Sequence, residues 1–449
     1  MLHFIIKLFL FSFFTTATIS SSLSRLVHIE GERFVITATN ASIILSGPNV
    51  VVKGPPYLPS VSGTSMCNDN VTDACALLGT CTSCSTFNEA DIVNLRSRGW
   101  NTIRLGIVWA GAQPLDVNEL DPSFLNRLHA ILNLTDAANI YVILDNHGDM
   151  VSSAGCGNGV PMWFSQAAAP NDIGLPLTTG FPYNVIPSLD ITTLAGYNVC
   201  GNETSKWQKF AGDPNYNLLN ECCQAMNSPN PPALGFSTIN QRTMDYLITA
   251  GSGRDAFIRY WRLIAEAVIN HPSAIACELM NEPMTIRRSL AFDTWREVGQ
   301  QINAVIPDMS IAIADVSEGI VIPSWVIDII GGNELLSNAT VEWIKNAKTV
   351  FYAWHWYGFP ADVHESISDA LALGDSWGIP TIATEFMDCQ VWNATTVANI
   401  SHLYWHYSAY CNTGSNFGNR SVPNNTFGAC ILGWGSGDSS YSCLPTTIY

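Results

Sequence analysis

Short apolar runs recur along the chain, and each ends where a polar or charged residue breaks it. Residues 101–109 (Asn-Thr-Ile-Arg-Leu-Gly-Ile-Val-Trp), 140–147 (Ile-Tyr-Val-Ile-Leu-Asp-Asn-His), 310–315 (Ser-Ile-Ala-Ile-Ala-Asp) and 349–357 (Thr-Val-Phe-Tyr-Ala-Trp-His-Trp-Tyr) have this form. So do residues 274–283 (Ala-Ile-Ala-Cys-Glu-Leu-Met-Asn-Glu-Pro) and 380–386 (Pro-Thr-Ile-Ala-Thr-Glu-Phe). Near-continuous apolar runs of this length read as strands buried on both faces, as in a parallel sheet. With residues 49–53 (Asn-Val-Val-Val-Lys) as the first and 404–410 (Tyr-Trp-His-Tyr-Ser-Ala-Tyr) as the last, eight such strands are predicted.

The intervening stretches change period. Residues 88–98 place Ile92, Val93 and Leu95 at helical spacing. From Asp121 as cap and Pro122 in the first turn, a stripe runs through Phe124, Leu125, Leu128, Ile131 and Leu132. Residues 254–270 carry Phe257, Trp261, Ile264 and Val268, and residues 289–306, 362–377 and 395–403 complete the helices. Eight strands alternating with helices predict an α/β fold, a TIM (β/α)8 barrel in preference to an open sheet. Residues 27–37 and 42–46 read as a short hairpin closing the bottom of the barrel.

Two stretches interrupt the alternation. Residues 54–85 hold tandem prolines and four cysteines and are expected to form a disulfide-held lid. Residues 148–253, rich in Pro, Gly and Asn with four more cysteines, are too long for a simple connection; they read as an inserted subdomain or a cover over the mouth. The remainder, residues 23–449, is expected to be one barrel domain, since such barrels run from about 200 to over 400 residues.

Barrel sites are built at the C-terminal ends of the strands. Those positions hold Lys53, Arg104, His147, Asp149, Asn281, Glu282, Asp315, His355, Tyr357, Glu385 and Trp405. Two glutamates that close strands four and seven are the parts of a retaining glycosidase, which needs a protonated carboxyl and an ionised one roughly 5 Å apart. On this reading Glu282 is the acid/base, kept protonated by apolar walls and an ionised neighbour, and Glu385 is the nucleophile, kept ionised by Arg104. Each residue has a plainer alternative: Asn-Glu-Pro is a common strand exit, Arg104 suits a buried ion pair, His147 and His355 suit a core. Trp405 suits either barrel packing or a stacking platform for a sugar ring.

Composition narrows the class. The 449 residues are 47% hydrophobic and 10% aromatic, enough for a large core, and the net charge is −17 with only 20 basic residues. That balance argues against nucleic acid and against anionic membrane surfaces. Residues 1–22, apolar around Lys7 and then small and hydroxylated, read as a secretory signal peptide, with an uncleaved anchor as the alternative. Nothing later is long and apolar enough for stable membrane insertion. Sequons at Asn40, Asn70, Asn133, Asn202, Asn338, Asn393, Asn399, Asn419 and Asn424 and thirteen cysteines suit a secreted glycoprotein with disulfides. Cys277, inside a core strand, is the expected free thiol. Cys81-Thr-Ser-Cys84 has no partner at zinc-ligand spacing, so neither metal nor other cofactor is expected.

Arg104, His147, Asn281-Glu282-Pro283, His355-Trp-Tyr357, Glu385 and Trp405, in this order on successive strands, resemble glycoside hydrolase family 5, the cellulase-type retaining barrels. Within that family the likeness runs to endoglycoceramidases and to glucosylceramide- or sterylglucoside-cleaving enzymes. It is carried by Asn49-Val-Val-Val-Lys-Gly-Pro-Pro-Tyr-Leu-Pro59, Leu144-Asp-Asn-His-Gly-Asp149 and Cys156-Gly-Asn-Gly-Val-Pro-Met-Trp163. The resemblance implies that Lys53 and Asp149 bind hydroxyls of the sugar beside the cleavage point, and that Asn281 contacts its 2-hydroxyl. The chain departs from the pattern at Asn146 and Gly148, where Met and Gln are expected, and at Met387. Only 64 residues follow Glu385, so the C-terminal β-sandwich of endoglycoceramidases is expected to be missing, which bears on ceramide specificity.

The expectation is therefore a secreted, monomeric retaining β-glycosidase acting on a glycolipid-type substrate, with Trp163, Phe164, Phe181 and Tyr183 lining an apolar groove. An endo-β-glucanase or mannanase acting on polysaccharide is the alternative, and a non-catalytic carbohydrate-binding protein a third.

Overall fold

The computed structural model describes residues 23–62, 87–115, 117–194, 196–226, 232–316, 335–357, 362–386 and 389–405. Eight parallel strands close into a barrel: β4 (Ser46–Val50), β5 (Thr102–Gly106), β6 (Tyr141–Asp145), β7 (Ala274–Glu278), β8 (Ser310–Ala314), β9 (Val350–Trp356), β10 (Thr381–Phe386) and β11 (Ser401–Tyr404). Each of β5, β6, β7, β8 and β10 is buried along its whole length, as the uninterrupted apolar runs require. The fold is the TIM barrel expected.

Helices cover the outside where the 3.6-residue stripes fall. Pro122–Ala138 starts on the Asp121 side chain, which accepts from the Phe124 amide, and buries Phe124, Leu128, Ile131 and Leu132. Ser252–Val268, Arg288–Val305 and Val363–Trp377 follow the same rule. Helix Asn338–Asn346, capped by Ser337, belongs to a stretch that the sequence reading left without an element.

The N-terminal strands form a three-stranded antiparallel sheet, β1 (Val27–Glu30), β2 (Arg33–Ile36) and β3 (Ala41–Ile43), one strand more than a hairpin. Val27, Ile29 and Phe34 pack with Leu45, Ile143, Ala312 and Ala353 of the barrel interior. Buried Arg25 donates to the carbonyls of His271 and Ala274, at the start of β7. The sheet thus seals the N-terminal end and leaves the other end for chemistry.

Boundaries differ at both ends of the barrel: the first strand is Ser46–Val50, where the sequence predicted 49–53, so Lys53 lies past its end. The last helix is Cys389–Val397 and the last strand Ser401–Tyr404, where the sequence predicted a helix at 395–403 and a strand at 404–410. Asn399 takes a left-handed φ of 55°, which stops the helix early. Residues 406–410 lie outside the described part, as do the signal segment, residues 63–86 with their four cysteines, Met387, and the segment bearing Cys411, Cys430 and Cys443.

The insertion after β6 is built of short helices around its own apolar cluster, including Met150, Met162, Trp207, Tyr216 and Leu234. Disulfides Cys156–Cys223 and Cys200–Cys222 cross it. Cys277 is a free, buried thiol.

Candidate active site

Arg104 stands at the centre of the barrel's C-terminal end with its side chain 0% exposed. Its Nε and Nη2 donate to the two oxygens of Glu278, each at 2.8 Å, and Nη1 donates to Asn49 Oδ1 at 2.8 Å and to Glu385 Oε2 at 2.9 Å. Nη2 also reaches Asn281 Oδ1 at 2.8 Å and Asp145 Oδ1 at 3.0 Å. Burial opposes this charge, but Asp145, Glu278 and Glu385 outweigh it and hold the guanidinium firmly protonated. For Glu278, too, burial alone favours the neutral form; Arg104 and His355 reverse that and push its pKa down to about 2.

The two candidate catalytic carboxylates flank His355. Glu282, just past β7, has a left-handed φ of 39° that turns its side chain out of the strand line. Its Oε1 lies 3.0 Å from His355 Nδ1, and 28% of its side chain remains exposed. Glu385, near the end of β10, accepts from Arg104 through Oε2 and from the Tyr357 hydroxyl through Oε1. One oxygen of Glu282 and one of Glu385 lie within 4.8 Å of each other.

The electrostatics of Glu282 differ from the expectation of a carboxyl kept neutral by apolar walls. Burial does favour the protonated form, but the hydrogen bond and charge of His355 outweigh it, so the carboxyl is held below its ordinary value. His355 is raised well above the usual histidine value: burial opposes its charge, and Glu385, Glu278 and Glu282 together overcome that.

A second cluster lies beside the pair. Lys53 Nζ is 2.7 Å from Asp149 Oδ2 and 4.6 Å from the centre of the Trp405 ring. His147 stacks on Trp405, ring centres 5.1 Å apart, and bonds Asp145 Oδ2 through Nδ1 at 2.8 Å. Asp149 is held ionised, because Lys53 and His147 overcome the effect of burial. The Asn158 side chain fixes the loop, accepting from the Asp149 amide at 2.7 Å and donating to the Lys53 carbonyl at 3.4 Å. With Oδ1 of Asn281 taken by Arg104, its buried Nδ2 has no partner among the described residues, as an amide poised to donate to a bound hydroxyl would.

The structure therefore gathers Lys53, Arg104, His147, Asp149, Asn281, Glu282, His355, Tyr357, Glu385 and Trp405 at one end. Trp405 is almost fully buried, its ring engaged by His147 and Lys53, an arrangement close to the packing alternative. Asp315 does not join the carboxylate pair; it is bound by Arg288 Nε and Nη2, each at 2.9 Å. Sequence reasoning missed Asn49, Asp145, Asn158 and Glu278. The available signal was a polar side chain inside an otherwise apolar strand, above all Glu278 in β7. Gly148, one of the departures, has a steric cause: a Cβ there would sit 2.4 Å from the Gly159 Cα.

Comparison with known proteins shows what this chain is similar to. Residues 67–173 match the model for cellulase, glycosyl hydrolase family 5. Over that segment the chain is similar to glycosyl hydrolase family 5. The chain is 27% identical over 268 residues to an endoglycoceramidase of Cyanea nozakii, a match covering 60% of this chain and 42% of the relative. It is 26% identical to an ergosteryl-beta-glucosidase of Saccharomyces cerevisiae (strain ATCC 204508 / S288c), over 43% of this chain and 26% of the relative. The matches thus span less than half the length of these relatives. A crystal structure of an endogalactoceramidase shares the fold, with a TM-score of 0.51 at 14% identity, covering 86% of this chain and 75% of that one.

Proposed function

We propose that this barrel is a family 5 retaining β-glycosidase acting on a glycolipid-type substrate. The observation that carries the reading is the Glu282–Glu385 pair, with oxygens within 4.8 Å and different partners on each. That spacing supports direct attack by a carboxylate better than inversion, whose carboxyls stand roughly 6.5–9.5 Å apart.

In the first step Glu385 attacks the anomeric carbon while Glu282 delivers a proton to the departing glycosidic oxygen. In the second Glu282 takes a proton from water, whose oxygen displaces Glu385 and releases the sugar. Arg104 and Tyr357 hold the attacking carboxylate in place. Lys53, Asp149 and the free Asn281 amide are assigned to hydroxyls of the sugar.

The glycolipid choice rests on an amphipathic cavity of about 390 Å³ beside the chain just past Glu282, lined by Phe181, Tyr183, Phe236, Ile286 and Arg287 among others. Phe181, 66% exposed, stands ready to meet an apolar aglycone. Phe164 is not available for this, being buried against Trp109 at 4.9 Å, and Trp163 donates to the Gln113 carbonyl. The named relatives act on glycosylceramides and on a steryl glucoside. Cleavage of β-glucan is the second reading, favoured by the cellulase model that residues 67–173 match.

A secreted setting fits the disulfides Cys156–Cys223 and Cys200–Cys222 and the sequons: among the described residues Asn40, Asn133, Asn202, Asn338, Asn393 and Asn399 are all exposed. Among the described residues no helix is long and apolar enough to cross a membrane.

The deciding experiment incubates the protein with glucosylceramide, a longer glycosphingolipid, a steryl glucoside and soluble β-glucan, and analyses the products. Free ceramide or sterol is expected, together with the sugar. Oligosaccharides from the glucan alone would transfer the assignment to the polysaccharide reading.

A further inference from the structure

Glu278 is a third carboxylate at this end of the barrel, and its side chain is 0% exposed, so substrate cannot reach it. It nevertheless touches the partners of both catalytic glutamates. Its fork-to-fork pair with Arg104 fixes the guanidinium plane, leaving Nη1 aimed at Glu385. Its Oε1 also lies 3.7 Å from His355 Nε2, on the far side of the ring from Nδ1 and Glu282.

We propose that Glu278 is a positioning residue for both catalytic carboxylates: it holds Arg104 against Glu385 and stores on His355 the proton that Glu282 delivers. This rests on the glycosidase reading and deepens it. The imidazolium sits between Glu278 and Glu282, with Glu385 nearby, and Glu282 is ionised. Bound sugar covers the exposed part of Glu282 and raises its proton affinity. The proton on His355 Nδ1 then crosses the 3.0 Å hydrogen bond to Glu282 Oε1, leaving neutral imidazole and a carboxylic acid. Glu282 passes it to the leaving oxygen, recovers one from water in the second step, and returns it to His355 as the sugar departs. No proton is gained or lost over the cycle.

The groups facing His355 and Glu282 set the direction of the pH effect. They are Glu278 on β7, Glu385 on β10, Arg104 on β5, Tyr357 after β9, and Lys53 and Asp149 beside Glu282. Replacing Glu278 by Gln removes one negative charge, so the His355–Glu282 pair gives up its proton at lower pH. The basic limb of the rate profile must therefore move to acid.

The test measures kcat and KM across pH for the parent, Glu278→Gln and Glu278→Asp on an activated aryl β-glycoside. For Glu278→Gln, kcat is expected to fall by about 10–100-fold, as for other buried partners of site ligands. KM should stay within about twofold. The basic limb of the bell should move to acid by about one pH unit, whereas Glu278→Asp, which keeps the charge, should leave it in place. A parent-like rate, a slower enzyme with an unmoved bell, or an equal shift in Glu278→Asp would overturn the proposal. If Glu278→Gln does not fold, proton NMR of the parent decides: His355 should keep its proton at pH 7.5, and titration at or below the ordinary histidine value refutes the storage role. A parent inactive on every β-glycoside would remove the glycosidase reading, while the same titration would still judge the pairing of Glu278 with His355.

Discussion

Arg104 and Glu278 meet fork to fork inside the barrel, two parallel hydrogen bonds of 2.8 Å between side chains that water does not reach. Taking both charges out of water is costly, and geometry of this quality offsets that cost only while both partners are present. Arg104→Met would leave Asp145, Glu278 and Glu385 without their shared cation. We expect it to lose about 3–5 kcal/mol of unfolding free energy, measured by urea titration, together with all turnover. A variant as stable as the parent would mean that the site tolerates those carboxylates protonated and that the ion cluster does little for the fold.

The two glutamates should respond differently to amidation. Glu385→Gln removes the attacking group and should abolish turnover on every substrate. Glu282→Gln removes only the acid, and should lower kcat/KM by about 10²–10⁴-fold on poor leaving groups. Aryl glycosides that leave without help should lose far less. Steady-state kinetics over a leaving-group series makes the comparison, and parental rates for Glu385→Gln would exclude it as the nucleophile.

Buried His402 supplies a pH effect on stability. Its Nδ1 lies 2.8 Å from the Ile400 carbonyl and its Nε2 3.2 Å from Ser46 Oγ, where β11 meets β4. Burial is the main influence and pushes its pKa down to about 4, from 6.5 in the unfolded chain. A base with a depressed folded pKa favours the native state fully above about pH 6.5. That contribution is lost as the pH falls from 6.5 towards 4, about 3 kcal/mol in all. His147 and His355, both raised, act in the opposite sense, stabilising at acid pH and ceasing to do so as the pH rises. The comparison that isolates His402 is urea stability at several pH values for the parent and His402→Gln. The slope between pH 6.5 and 4.5 should be shallower in the variant, and equal slopes would mean that the ring is reached by water.

The barrel was legible because a strand buried on both faces leaves a plain trace, an apolar run such as Thr381–Phe386 closed by one polar residue. The same trace delivered Glu282, Glu385 and Arg104. What it concealed was the partner of each charge. Glu278, Asn49 and Asp145 lie inside strands, where a sequence shows only an interruption of the pattern; their meaning depends on which strands become neighbours across the closed barrel. The proton state of Glu282 was hidden for the same reason, since His355 comes from a strand two places away in the sheet. At the C-terminus the pattern misled, because aromatic residues beyond Tyr404 looked like the strand itself, while the left-handed turn at Asn399 had already started it.

Asn158 joins the insertion to the sugar cluster. It lies two residues after Cys156, which the bridge to Cys223 anchors in the insertion, and its side chain holds both the Asp149 amide and the Lys53 carbonyl. Asn158→Ala removes these bonds without touching Glu282 or Glu385. If Lys53 and Asp149 bind sugar hydroxyls equally in ground and transition state, KM should rise about tenfold with kcat little changed. The double variant Cys156→Ser, Cys223→Ser should move KM in the same direction, because it frees the loop that carries Asn158. Initial rates over a range of glycoside concentrations separate the two constants. An unchanged KM in Asn158→Ala would show that Lys53 alone keeps Asp149 in place; a fall in kcat alone would show that the loop serves the transition state and not the binding of substrate.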